Sequence, residues 1–241
     1  MRACLRLSAH SAPLRFPSLR SPAPPFPPTE RIFPGDADAA NHFTLSLTAH
    51  VDDACPGGGA APCYVMSDAP GGKVAIVATG ASELTFAVGE YLRQQCNMTI
   101  GWPRGGGNNV FVPKKWPKVG GADGKVAGKR NVPWSYMMNV CTHSYSLVWY
   151  SWDQWQVFID WMALSGINNV LAMTGQEEVQ YKVFQKFGLT DADIRNWFNG
   201  PALLTWSRGQ NEYGNGIAGT LPRSWMKAQW SMQKDILARY E

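Results

Sequence analysis

The stretch that decides the fold is NVCTHSYSLVWYSWDQWQVFIDWMALSGINNVLAMTGQEE, residues 139–178. Its pattern predicts a short apolar strand, an aromatic loop, an amphipathic helix and a second apolar strand. This order is that of a βαβ unit, whose two strands are parallel and belong to a larger sheet. The loop places polar groups beside aromatic rings. This is the chemistry of sugar-binding clefts, because a pyranose offers an apolar face for stacking and hydroxyl groups for hydrogen bonds.

The boundaries of this unit follow from local signals. The first strand is predicted over 135–141 and the second over 167–174. Asp153 is expected to cap the helix between them, and Gly166 is expected to end it at the C′ position. The predicted core stripe of this helix consists of Trp155, Phe158, Ile159, Met162 and Ala163.

Further helices are predicted downstream. One covers about 178–187, a second begins after Thr190, and a third covers 222–241, with Pro222 at its start. Two parallel strands do not close a barrel, which takes eight strands in roughly 250 residues. The sequence therefore predicts the front end of a longer protein.

Upstream, the pattern predicts a smaller α/β domain. Strands are expected over 43–50, 63–69, 73–80 and 98–102, with a helix over 82–96 that Ser82 caps. Leu84, Ala87, Val88, Tyr91 and Leu92 form the apolar stripe of that helix. The predicted organisation is a leader over 1–40, the small α/β domain over 41–112, an exposed linker over 113–133 and the barrel segment over 134–241.

Composition limits the function classes. The 241 residues are 45% apolar and 17% charged, as in globular proteins, and the net charge of +4 comes without a basic stripe for nucleic acid. No apolar run approaches the roughly 18 residues of a transmembrane helix. The sequence contains no CxxC pair, so a zinc site is not expected, and no metal or organic cofactor is implied. The first 29 residues are rich in Arg, Ser and Pro. Their composition is typical of an organelle transit peptide. The alternatives are a disordered leader or a wrongly assigned start codon.

Two modifications are candidates. Cys55 and Cys63 flank the flexible segment PGGGAAP, which lets them meet as a disulfide in an oxidising compartment. Asn97 begins an N-x-S/T sequon just past the end of a predicted helix, where it is expected to be exposed.

Five sequence blocks resemble the α-N-acetylglucosaminidases, the family 89 glycoside hydrolases, in order and spacing. They are NVCTHSYS (139–146), IDWMALSGIN (159–168), GQE (175–177), GPALLTW (200–206) and LPRSW (221–225). The resemblance implies a small α/β domain followed by a (β/α)8 TIM barrel, of which this chain holds the first part. It also implies a lysosomal or secreted enzyme that removes terminal α-linked N-acetylglucosamine from glycans such as heparan sulfate by a retaining mechanism.

Candidate site residues lie at predicted strand ends, where barrel enzymes build their sites. The resemblance implies that Asn139, Cys141 and Trp206 contact the terminal sugar and that Tyr145 supports them. Glu177 and its neighbour Glu178 are better explained as helix-start or supporting residues, because adjacent carboxylates cannot straddle a glycosidic bond. The resemblance places the catalytic glutamates beyond Glu241, so the chain alone is expected to be inactive. The alternative is a non-catalytic, glycan-binding remnant protein.

Overall fold

The protein consists of two α/β units that pack against each other. The structure, a computed structural model, describes residues 32–33, 36–49, 51, 55, 62–101, 109–198, 200 and 221–240.

The first unit is a four-stranded sheet with one long helix on it. Its strands are β1 (Phe43–Leu47), β2 (Cys63–Ala69), β3 (Lys73–Ala78) and β4 (Lys125–Lys129), in the order β1-β3-β2-β4. Strand β1 runs parallel to β3, whereas β2 is antiparallel to both β3 and β4. Alternate residues of the strands face the helix α1 (Ala81–Gln94), which confirms the small α/β domain.

Helix α1 covers the sheet with the predicted stripe. Ala87, Val88, Tyr91 and Leu92 are buried in one cluster with side chains of β2 and β3, and Leu84 packs at its edge. The predicted cap is wrong, because the helix begins after Gly80 and the hydroxyl of Ser82 instead donates to Glu83.

Two expectations about the connecting region are also wrong. Of the predicted strand over 98–102, the structure describes 98–101, and these residues form only one bridge, in which Thr99 and Asn109 exchange backbone hydrogen bonds. The predicted linker 113–133 is not exposed along its whole length, because Lys125–Lys129 form β4 and pair with β2.

The second unit contains the βαβ pair. Its elements are β5 (Tyr136–Met137), α2 (Val140–Tyr145), α3 (Trp152–Leu164), β6 (Asn169–Val170), α4 (Gln176–Lys186), α5 (Asp191–Trp197) and α6 (Arg223–Tyr240). Strands β5 and β6 are parallel, with Met137 paired to Val170, as the sequence predicts for the start of a barrel. Helix α3 buries the predicted stripe around Trp155, Phe158, Ile159 and Met162, with Ala163 half-buried.

Local capping in this unit differs in part from the predictions. Ser151, not Asp153, caps α3 through a capping box with Gln154. Gly166 follows the helix with φ +76°, the left-handed conformation expected at C′. Thr190 and Asp193 form the predicted capping box of α5.

The two units are joined through α1 and α3. A Cβ built on Gly89 would lie 2.0 Å from the carbonyl oxygen of Leu164, so the helices approach as closely as the backbone allows. Arg130 donates to Glu83 (2.8 Å), to the hydroxyl of Ser135 (2.9 Å) and to the carbonyl of Gly166 (2.8 Å). Its ion pair with Glu83 is buried, with both side chains 8% exposed, and it ties α1 to the ends of the βαβ unit.

Candidate functional site

The carboxyl ends of β5 and β6 form the candidate site. The strands are parallel, so the segments that follow them, 138–139 and 171–175, emerge at the same edge of the sheet. In a βα barrel this edge carries the binding and catalytic residues. Met138 has φ +82°, an unusual value for a residue with a side chain, and it turns the chain from β5 into α2.

Asn139 is the exposed N-cap of α2. Its Oδ1 accepts from the backbone N–H of Thr142 and from the Thr142 hydroxyl, both at 3.1 Å. The predicted strand over 135–141 therefore ends at Met137, and Cys141 lies in the first turn of a helix, not in a strand. The cap uses only the oxygen of the Asn139 amide, so its NH2 group keeps its capacity to donate to a ligand.

A buried histidine holds α2 against the segment after β6. The Nε2 of His143 lies 3.1 Å from the carbonyl oxygen of Leu171, to which it donates. Its ring stacks on Trp155 of α3, with the ring centroids 6.2 Å apart. Sequence reasoning did not assign this role to His143, because a lone histidine gives no local signal of a partner 28 residues away.

The two glutamates at the start of α4 are buried. Glu178 accepts from Arg223 of α6 at 2.5 and 3.2 Å, and the Arg223 guanidinium lies over the Tyr181 ring. Burial tends to raise the pKa of Glu178, but Arg223 and Lys182 outweigh it, so the pKa is lowered. The general acid of a glycosidase needs a raised pKa, which Glu178 does not have. Its ion pair with Arg223 instead joins α4 to α6.

Glu177 lies closer to the site edge. It lines a small cavity together with His143, Thr174, Gly175 and Trp225. Gly175 precedes α4 with φ +75°, and a Cβ there would meet the backbone of α6 at 2.8 Å. The geometry thus places Glu177 beside the loop after β6.

The structure places the sequence-predicted residues in two groups. Asn139, Cys141 and Tyr145 share α2 at the site edge, where Cys141 is half-buried and Tyr145 is 53% exposed. Trp206, the remaining predicted sugar contact, lies outside the described residues.

The modification candidates lie in the first unit. There Asn97 is exposed, and Cys55 and Cys63 form a disulfide with Cα atoms 6.2 Å apart.

The described ranges contain neither a cluster of metal-ligating side chains nor a membrane-spanning helix. Within them, no group of three or more His, Cys, Asp or Glu side chains is arranged to hold a metal ion. No helix in the same ranges has the length and apolar character that a bilayer span requires.

Family models match both units. Residues 29–118 match the α-N-acetylglucosaminidase N-terminal domain, and residues 135–241 match the α-N-acetylglucosaminidase tim-barrel domain. The chain is also 38% identical over 169 residues to the human (Homo sapiens) α-N-acetylglucosaminidase, covering 69% of this chain and 22% of that protein.

Solved structures of a Clostridium perfringens family 89 glycoside hydrolase have the same fold. One, with two glutamate-to-glutamine substitutions and the substrate GlcNAc-α-1,4-galactose bound, is 28% identical, with a TM-score of 0.72. The matched region covers 83% of this chain and 21% of the Clostridium perfringens chain. A complex with PUGNAc is 27% identical, with a TM-score of 0.71 and the same coverage. The chain thus spans about a fifth of the length of the proteins it matches.

Proposed function

The chain belongs to the α-N-acetylglucosaminidase family, glycoside hydrolase family 89, and from that premise we propose that it forms part of an enzyme releasing terminal α-linked N-acetylglucosamine from glycans. Glycans such as heparan sulfate are the proposed substrates. The match of both units to the family models carries the proposal. A bacterial relative that binds GlcNAc-α-1,4-galactose supports the type of linkage.

The proposed sugar contacts are Asn139, Cys141 and Trp206, with Tyr145 and Glu177 in support. The position of α2 favours this assignment, because it starts directly at the carboxyl end of β5. Asn139 is exposed there, and its NH2 group is not used by the cap. A sugar hydroxyl or acetamido oxygen is an acceptor that this group would bind.

The proposed mechanism is retaining, through a glycosyl-enzyme intermediate and two glutamates. In support, the relative that holds an intact substrate has two glutamates replaced by glutamine. We place the two glutamates on barrel strands that follow the segment described here. Glu177 and Glu178 do not supply them, since they are adjacent and Glu178 is paired with Arg223. The 241-residue chain by itself is then inactive toward α-N-acetylglucosaminides.

A lysosomal or secreted location fits this function. The Cys55–Cys63 disulfide supports it, because disulfides persist in oxidising compartments and are rare in the cytosol.

The test separates the binding role of Asn139 from its capping role. Asn139→Asp keeps an acceptor for the N–H of Thr142 but removes the NH2 donor. In a protein that carries this segment with the rest of its barrel, kcat/KM toward a chromogenic α-N-acetylglucosaminide should fall by roughly 10- to 100-fold, the loss of one good hydrogen bond. The free energy of unfolding should stay within about 0.5 kcal/mol, as for surface changes.

Asn139→Ala is the matched variant. It loses both functions, so kcat/KM should fall similarly while stability drops by about 1 kcal/mol. An Asn139→Asp enzyme with wild-type kcat/KM would show that Asn139 is only a cap. Release of N-acetylglucosamine by the purified 241-residue chain would refute the proposed placement of the glutamates. Sugar binding by that chain without hydrolysis would favour a glycan-binding protein.

A further inference from the structure

The end of α1 carries a sequon that the fold presents to solvent. Asn97-Met98-Thr99 is the single N-x-S/T sequence in the 241 residues, and its middle residue is not proline. Asn97 and Thr99 are both exposed, whereas Cys96 and Met98, which alternate with them, are buried at 5% and 2% exposure. The two residues that define an acceptor site are therefore exposed to solvent, and the buried Cys96 and Met98 anchor the segment.

The backbone explains this alternation. Asn97 has φ +55°, a left-handed conformation that asparagine tolerates better than most residues. The chain thereby leaves α1 in a tight turn and becomes extended at Thr99. Only the backbone of Thr99 is used in its bridge to Asn109, with N–O distances of 3.2 and 2.8 Å. The bridge uses no side-chain atom of Asn97 or Thr99, and both residues remain exposed.

A second, independent observation concerns the compartment. Cys55 and Cys63 form a disulfide and are 3% and 0% exposed, so the bond is part of the core beneath β2. A chain that folds around a buried disulfide folds in an oxidising compartment. In eukaryotes that compartment is the lumen in which asparagine residues of sequons are glycosylated.

We propose that Asn97 carries an N-linked glycan. In the transfer, the side-chain Nδ2 of Asn97 forms a bond to C1 of the reducing-end sugar of an oligosaccharide carried on a lipid pyrophosphate. The bond from C1 to the phosphate oxygen breaks, the pyrophosphate leaves with the electron pair, and Nδ2 loses one proton. The proposal is independent of the proposed glycosidase function, because its residues lie in the first unit and the sugar-contact residues in the second.

The test uses two variants at Thr99, because substitution of Asn97 would also disturb the left-handed turn. Thr99→Val keeps the shape of the side chain and removes the hydroxyl that makes the sequon. Thr99→Ser keeps the hydroxyl and the sequon. The 241-residue chain is translated behind a cleavable secretory signal in the presence of microsomes, where transfer occurs on the nascent chain whether or not the variant folds.

Wild type and Thr99→Ser should each give one slower band on a denaturing gel, and endoglycosidase H should remove the shift. Thr99→Val should give none. An unshifted wild-type chain beside a glycosylated control protein in the same reaction would overturn the proposal. A shift that persists in Thr99→Val would do the same.

A second measurement examines the folded protein. Secreted wild-type protein is digested after peptide N-glycosidase treatment, which converts a glycosylated Asn97 to aspartate, and the peptide is identified by mass spectrometry. Conversion at Asn97 is expected. A secreted, folded product in which this peptide is unmodified would refute the proposal even if the microsomal reaction shows transfer.

Discussion

Acidification should destabilise the first unit through His42. This side chain is 8% exposed, and its ring stacks on Trp116 with centroids 4.2 Å apart. Its Nε2 lies 3.3 Å from the hydroxyl of Tyr91. Burial, and secondly the charge of Lys73, lowers the pKa of His42 from 6.5 to about 4. The folded protein therefore keeps His42 neutral at pH values at which the unfolded chain protonates it.

The sign and size of the effect follow from this difference. Well above pH 6.5 neither state binds the proton, and His42 has no influence on the pH dependence. As the pH falls from 6.5 towards 4, the unfolded state gains protons and stability is lost at about 1.4 kcal/mol per pH unit. Between pH 7.5 and pH 4.5 the contribution of His42 should therefore fall by roughly 3 kcal/mol.

The perturbation is His42→Phe, assayed by urea denaturation at both pH values. A phenyl ring keeps the stack on Trp116 but does not titrate. At pH 7.5 the variant should be less stable by about 1 kcal/mol, because the hydrogen bond to Tyr91 is lost. At pH 4.5 it should be the more stable protein, since the other titrating groups are common to both and cancel. Equal pH dependence of the two proteins, within about 0.5 kcal/mol, would refute the reasoning.

Two further predictions concern the contact between the units. Glu83→Gln leaves the Arg130 guanidinium buried without its counter-charge, and we expect a loss of about 3 kcal/mol in the free energy of unfolding. Gly89→Ala places a methyl group 2.0 Å from the carbonyl oxygen of Leu164 and forces α1 and α3 apart. Urea denaturation should show a net loss of about 2 kcal/mol, although alanine favours the helix itself.

Each of these variants has a matched control. Glu90→Gln breaks a partly exposed ion pair with Arg93 on the same helix and should cost less than about 1 kcal/mol. Gly200→Ala adds a methyl group with no atom within 4 Å and should be nearly neutral. If Glu83→Gln proved as mild as Glu90→Gln, the buried ion pair would not hold the units together. If Gly89→Ala left the free energy of unfolding unchanged, that result would contradict the close packing of α1 against the end of α3.

Local signals predict much of this fold. The strand over Cys63–Ala69 and the buried stripe of α3 follow from hydrophobic periodicity alone. The capping box at Thr190 and the left-handed Gly166 follow from residue types with few alternative uses. In each case the partners lie within a few residues, so the sequence contains the whole interaction.

Strand β4 could not be predicted in this way. Its sequence KVAGK has little strand preference, and it forms because β2, some sixty residues earlier, offers an edge for pairing. Gly128 marks the contact, since a Cβ there would lie 2.4 Å from the ring of Tyr64. The glycine that suggests a loop in the sequence is the residue that lets an aromatic ring pack on the sheet.

Competing short-range signals account for the errors at the site. Ser151 and Asp153 are both good caps, and Ser151 prevails because Gln154 completes a capping box with it. Asn139 was predicted at the end of a strand and is the cap of a helix, yet both positions lie at the carboxyl edge of the sheet. The sequence thus predicts the correct edge of the sheet for Asn139 but the wrong backbone conformation.

The first unit also has a structural role in placing this edge. Strands β5 and β6 are only two residues long, so few ladder hydrogen bonds fix them. The side chain of Asn168 extends the pairing by accepting from the N–H of Ser135 (2.8 Å) and donating to the carbonyl of Pro133 (3.0 Å). Arg130 holds Ser135 and Gly166 together from the other unit. Because Asn139 lies two residues after the end of β5, its position depends on the contact between the two units. The first unit therefore acts as the support that sets the start of the barrel.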